Sequence, residues 1–215
     1  MDIAQTIALT LGVAWASGIN LYAAIFMLGF MGTTGNIELP PDLQVLSDPM
    51  VMLAAGFMYC VEFFADKVPG VDTGWDGIHT FIRIPAGAIL AAGAVGEVGT
   101  GAQLAAMIAG GTLATGSHLT KAGSRVMINT SPEPFSNWFA SVGEDVAVIA
   151  GLWAALNHPV LFLVLLGLFI LLMIWLLPRI WRGIRKVFGY LGRLFGAKSP
   201  DAGANNPTAN TKSQE

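Results

Sequence analysis

Long apolar stretches separated by short polar ones dominate the chain. A membrane-crossing helix needs roughly 20 mostly apolar residues, and residues 3–31 reach that length easily. Residues 50–65 follow after a polar loop and reach it with their flanks. Residues 84–96 and 102–119 are short and rich in Gly and Ala, which suits tilted, broken or re-entrant segments. Residues 138–156 are apolar apart from Glu144 and Asp145, and 160–177 form an almost unbroken run of Leu, Val, Phe and Ile. The pattern predicts an all-α, polytopic transmembrane helical bundle of about six segments.

Composition strengthens this picture. Only 12% of the 215 residues are charged and 54% are hydrophobic, against roughly 25% charged in soluble domains. The 26 glycines suit membrane helices, where small side chains let backbones approach. The single cysteine, Cys60, excludes an intrachain disulfide. The N-terminal apolar stretch begins with Asp2 and has no Lys or Arg before it. It therefore reads as a retained first membrane segment, not a secretory signal.

Charge placement predicts orientation. Arg179, Arg182, Arg185, Lys186, Arg193 and Lys198 follow the last apolar run, which puts the C-terminus in the cytoplasm. Six crossings then put the N-terminus there too, in an inner-membrane protein. The loop 32–49, with Glu38, Asp42 and Asp48 but no Lys or Arg, falls outside. The chain divides into a transmembrane domain (1–178), an amphipathic basic juxtamembrane helix (179–196) and a disordered tail (197–215). The basic helix predicts contact with anionic lipid. The basic residues form no broad patch elsewhere, which argues against nucleic acid. A homo-oligomer is compatible with these features.

Ala16-Ser-Gly-Ile-Asn-Leu21 aligns with Ala114-Thr-Gly-Ser-His-Leu119, and the same offset pairs Ala8 with Ala106 and Gly12 with Gly110. Two readings stay open: shared small-residue packing, or inverted three-segment repeats (1–98 and 99–178) of the kind that build transporter sites at the repeat junction.

The few charges in the apolar region carry the candidate chemistry. Glu62 and Asp66 are four apart, so they share a helical face; Asp76, His79 and Arg83 are spaced three and four, and His118, Lys121 and Arg125 repeat that spacing. Glu144 and Asp145 interrupt a later segment. A charge at the bilayer centre costs about 2.5–3.5 kcal/mol on insertion scales, so each needs a structural or functional reason. One is an ion-pair network joining Glu62 or Asp66 to Lys67 or Arg83. The other is a polar cavity for a proton, cation or anion. Asp76-x-x-His79, with Asp72 nearby, is a weak divalent-metal candidate, and no cofactor is otherwise expected. Neither GxSxG, a P-loop nor HExxH occurs.

The blocks EFFADKVPGVDTGWDGIHTFIRIPAGA and KAGSRVMINTSPEPFSNWFASVGEDVA resemble an uncharacterised bacterial multi-pass membrane family, domain of unknown function number 4126, over about residues 16–178. The resemblance implies a membrane protein with no assigned activity. The leading expectation is a small transporter or permease for an anionic or phosphate-bearing, lipid-like cargo, coupled to protons. Its alternatives are a membrane-embedded, metal-dependent enzyme acting on a lipid-like substrate, and a non-catalytic scaffold.

Overall fold

The computed structural model describes residues 2–130 and 135–194. The Ser-Pro-Glu-Pro stretch at 131–134 and the tail expected to be disordered lie outside the described residues. The fold is all-helical, with no strand among the described residues. Its helices are α1 (Ile3–Thr33), α2 (Pro49–Ala65), α3 (Val71–Val95), α4 (Thr100–Ile128), α5 (Phe135–Asn157) and α6 (Pro159–Leu194). A 3₁₀ turn, Pro41–Ser47, precedes α2. Four helices, α1, α3, α5 and α6, are long and apolar enough to cross a membrane, and α2 with its bent 3₁₀ turn makes a fifth candidate. The outward faces of α2 and α6 are apolar, with Leu53, Phe57, Phe64, Leu168 and Leu171 exposed, as lipid-facing surfaces should be.

The element the rest is built around is α1. Its backbone leaves helical geometry at Asn20 (φ −146°, ψ 94°), and contacts on either side show that the chain turns back there. In the first half, Ala14 meets Gly110, which also meets Ala91, and Ser17 bonds to the Arg83 carbonyl. This half therefore runs antiparallel to α3, starting where Ile3 and Ile7 share a cavity with Val95 and Val98. In the second half, Phe26 meets Gly56 and Gly29 meets Met52 and Leu46, so it runs antiparallel to α2. The 3₁₀ turn before α2 returns Leu43 to Gly93, near the end of α3. Both ends of α1 thus lie at one end of the bundle, and Asn20 is the tip of a helical hairpin. A single unbroken helix was expected over 3–31; the Gly18-x-Asn20 break reverses it.

Two other segments are longer than their apolar cores suggested. The 84–96 segment is the second half of the 25-residue α3, and 102–119 lies within the 29-residue α4. Both helices continue through their charged residues because those side chains face inward and are paired. The basic stretch after residue 178 is not a separate element, since α6 runs unbroken through Pro178 to Leu194.

Close approach of α1 to α4 depends on Gly18. A Cβ there would collide with the Ser117 hydroxyl and the Ala114 carbonyl oxygen, and backbone cannot swing aside. Gly18→Val is expected to lower stability by about 1–3 kcal/mol or more. Gly77→Ala, in open space on α3, should be neutral or gain up to about 1 kcal/mol. Thermal unfolding of the purified protein in detergent checks both, and wild-type stability of Gly18→Val would refute the close approach.

Candidate functional site

Four helix ends converge at the level of the hairpin tip: the C-terminal parts of α2 and α4 and the N-terminal parts of α3 and α5. Within α2 only Ala55 and Glu62 are buried, so the one charge on that helix points into the bundle. Arg83 Nη2 donates to Glu62 Oε1 (2.5 Å) and Nη1 to Asp76 Oδ1 (2.9 Å). Lys121 Nζ lies 2.8 Å from Asp66 Oδ2 and 3.2 Å from Glu62 Oε1, with Asp76 and Glu144 each at 3.8 Å. Arg125 Nη2 meets Glu144 Oε2 at 2.5 Å, and Nη1 donates to the Asp66 and Asn137 carbonyls and to Asn137 Oδ1. Glu62, Arg83 and Arg125 have no solvent exposure.

Pairing of this kind is obligatory, because an isolated charge in an apolar interior costs far more than a paired, hydrogen-bonded one. The pairing is nevertheless incomplete. Glu62 Oε2, Asp66 Oδ1, Asp76 Oδ2 and Asp145 Oδ2 are buried without partners, as are Arg83 Nε and Arg125 Nε. Five carboxylates (Glu62, Asp66, Asp76, Glu144, Asp145) share the region with four cations (Lys67, Arg83, Lys121, Arg125), an excess of one negative charge when all are ionised.

The hairpin tip is wired into this network. Breaking the helix at Asn20 exposes the Ile19 carbonyl, which accepts from Lys121 Nζ (3.0 Å). Asn20 Oδ1 caps the returning half of α1 by accepting from Ala23 N, while its amide donates to Asp145 Oδ1; both distances are 2.9 Å. Ser117 Oγ donates to the Trp15 carbonyl at 3.0 Å.

The two histidines sit beside the ion pairs with their tautomers set by neighbours. His118 Nδ1 lies 3.4 Å from Arg83 Nη1, a donor, and Nε2 lies 2.7 Å from Thr80 Oγ1, whose own proton goes to the Asp76 carbonyl. His118 is therefore the neutral tautomer carrying its proton on Nε2. His79 donates from Nδ1 to the Trp75 carbonyl (2.9 Å) and accepts from the Tyr22 hydroxyl on Nε2 (3.0 Å), stacked on Trp75.

The sequence model of a family described as a domain of unknown function (DUF4126) matches residues 7–179. The chain belongs to that family. The matched region contains every residue of the charge network and ends where the basic part of α6 begins. Comparison with curated proteins and with solved structures finds no match to the chain.

Of the ten candidate residues, nine meet in one network: Glu62, Asp66, Asp76, Arg83, Lys121, Arg125 and Glu144 through ion pairs, His118 through Arg83, and Asp145 through Asn20. His79 stands beside it, on Tyr22. The expected pair of Glu62 with Arg83 is present. Lys67 has no carboxylate partner among the described residues; its ammonium lies over the Phe63 ring and bonds the Phe63 carbonyl and Ser141 Oγ. Burial there pushes the Lys67 ammonium below its usual range. Among the metal candidates, Asp72 accepts from Asn129 and from the backbone at the start of α3, Asp76 is held by Arg83, and His79 by Tyr22. No group of three or more His, Cys, Asp or Glu among the described residues is arranged to hold a metal ion. Asn20, Tyr22 and Thr80 went unrecognised in the sequence. Of these, only Asn20 gave a signal, as a lone amide two residues after a glycine within an apolar run.

Arg83→Gln leaves buried Glu62 and Asp76 with Lys121 as their remaining counter-charge, and it is expected to cost about 3–5 kcal/mol. Adding Glu62→Gln should recover a large part of that loss. Unfolding in detergent of the single and double variants measures the coupling; additive losses would show that the pair is energetically idle.

Proposed function

We propose that the chain is a small proton-coupled membrane carrier for an anionic cargo, with its coupling site at the tip of the α1 hairpin. One observation carries this reading: a largely buried network with one carboxylate too many and with both donors and acceptors left unpartnered. Groups arranged purely for stability would be replaced at little cost by apolar side chains. Groups that must exchange partners keep unspent capacity. In this conformation Arg125 and Lys121 are neutralised by Glu144 and Asp66, so an anion has no free cation to bind. Protonating Glu144, whose side chain is 20% exposed, would release the Arg125 guanidinium, whose planar fork suits carboxylate or phosphate. Proton and anion would then bind together, and loss of one would expel the other.

The membrane topology that goes with this reading has five crossing helices, α2 to α6, packed around a re-entrant α1. A hairpin adds no net crossing, so the N-terminus and the acidic loop 34–48 share the outer side. The C-terminus, with Arg179, Arg182, Arg185 and Lys186, is cytoplasmic beside anionic lipid. The inner membrane is the location this reading favours. The motifs at Ala16 and Ala114 do meet, at Gly18 and Ser117. One lies on a hairpin and the other on a straight helix, so we read their likeness as shared close packing.

Two measurements test the proposal. In proteoliposomes with an entrapped pH dye, wild type should carry protons together with phosphate or a carboxylate, and Arg125→Gln should abolish the coupling. Equal proton movement with and without any anion, or none at all, defeats the carrier reading. For topology, single cysteines replacing Asp2 and Glu38 in a Cys60→Ala background should both label from the outer side. One replacing Asn129 should not. Labelling of Asp2→Cys only from the cytoplasmic side would refute the re-entrant assignment.

A further inference from the structure

Asp145 differs from every other carboxylate of the network. It is 6% exposed, and it makes no ion pair with Lys or Arg among the described residues. One oxygen accepts from Asn20 and the other, Oδ2, is buried with no partner. Its neighbour Glu144 points instead to Arg125. Toward the cytoplasmic end, Ser141 lies one helical turn before Asp145 on α5 and bonds Lys67 Nζ at 3.4 Å. Lys67, in the loop joining α2 to α3, is the cation of the network with no carboxylate partner among the described residues. Asp145 bonds Asn20 of α1, and the titratable groups close enough to act on it electrostatically are Tyr59 and Glu62 of α2, Asp66 and Lys67 just beyond it, and Lys121 of α4.

The geometry points to Asp145 as a second proton-binding residue of this protein besides Glu144, loaded from Lys67 past Ser141 and read out by Asn20 at the hairpin tip. The inference rests on the proton-coupled reading above and adds a site to it. In loading, a Lys67 N–H bond breaks and an O–H bond forms on Asp145 Oδ2; the ammonium becomes an amine and the carboxylate a neutral acid. The amine is then reprotonated from the cytoplasmic side. Burial pushes the Lys67 ammonium below its usual range, so it gives up its proton more readily than an exposed lysine. The readout follows from the amide of Asn20, which serves two masters. Its oxygen caps the returning half of α1 and its NH₂ binds Asp145. A carboxylate holds that NH₂ by a charge-assisted bond, and a neutral acid holds it about half as strongly. Proton binding therefore loosens the tip against α5 while leaving the cap in place, which couples the charge of one residue to the position of the hairpin.

Infrared difference spectra of the purified full chain in lipid, between acidic and alkaline buffer, test this directly, with the proton itself as probe. Wild type should show a carboxylic-acid C=O band that is lost in Asp145→Asn, kept in Glu62→Gln, and moved in frequency by Asp145→Glu and by Asn20→Ala. If no carboxylic-acid band is lost in Asp145→Asn, the assignment is overturned. Lys67→Met should keep the band but slow proton movement into proteoliposomes by about 100-fold, the loss expected of a positioned proton-transfer group; a wild-type rate overturns the loading route. If the band behaves as expected while wild type moves no protons, Asp145 stands as a proton site and the carrier reading alone fails.

Discussion

A guanidinium with no access to water dictates the architecture. Arg83 lies on a helix that is otherwise apolar enough to cross a membrane, and an uncompensated charge in that position is untenable. Glu62 and Asp76 compensate it, but Glu62 can do so only if α2 turns its one buried polar residue toward α3. Lys121 then bridges Glu62 and Asp66, and Arg125 extends the chain to Glu144. Each added charge recruits the next helix, so pairing fixes the mutual rotation of α2, α3, α4 and α5. Buried ion pairs contribute little net stability. What they supply here is register: a bundle of small-residue and leucine faces packs about equally well in many rotations, and the pairs admit one.

The hairpin solves a related difficulty. A helix reversing inside an apolar region leaves backbone carbonyls and amides unbonded at its tip, each costing several kcal/mol in lipid. The tip of α1 therefore needs polar partners, and the charge network provides them through Lys121 on Ile19 and Asn20 on Ala23. Irregular backbone at depth survives where protein surrounds it, and α1 is surrounded, with most of its length buried. Network and hairpin depend on each other. Without the pairs the tip lacks partners, and without the tip Lys121 and Asp145 lose ligands that neither lipid nor apolar side chains could replace.

The helical class, the membrane character and most of the site could be read from residue spacing. Glu62/Asp66 and Lys121/Arg125 recur at one-turn intervals and Asp76/Arg83 at two turns in apolar surroundings, and such spacing places each pair on one face whatever the tertiary fold. Their convergence could not be read, because it depends on which helices are neighbours. The path of α1 was hidden for a different reason. Hydrophobic pattern reports how much apolar chain is available, and two half-length helices pointing opposite ways present the same run of residues as one full-length helix. Helix ends were misplaced for the opposite reason: apolar character stops at Ile84 or Leu119, but paired charges let α3 begin at Val71 and α4 continue to Ile128. Lys67 was drawn toward the carboxylates by charge alone, whereas the loop sets it over Phe63 and beside Ser141.

The distribution of exposure through the network separates its parts by role. Glu62, Arg83, Asp76 and Arg125 lie deepest, at 0–1% exposure, and the first three tie α2 to α3; changing their charge would cost the full burial penalty, so they are suited to hold the bundle in register. Glu144 at 20% side-chain exposure and Lys67 at 8% are more accessible. Asp145 lies between these two zones, bonded to neither set of cations but to the one residue at which the backbone of α1 bends. A charge change is least costly to the fold, and most consequential for shape, at a group that contacts the hinge and is no part of the clamp. Asp145 meets that condition, because its hydrogen-bond partner among the described residues is the amide of Asn20, where the backbone of α1 bends.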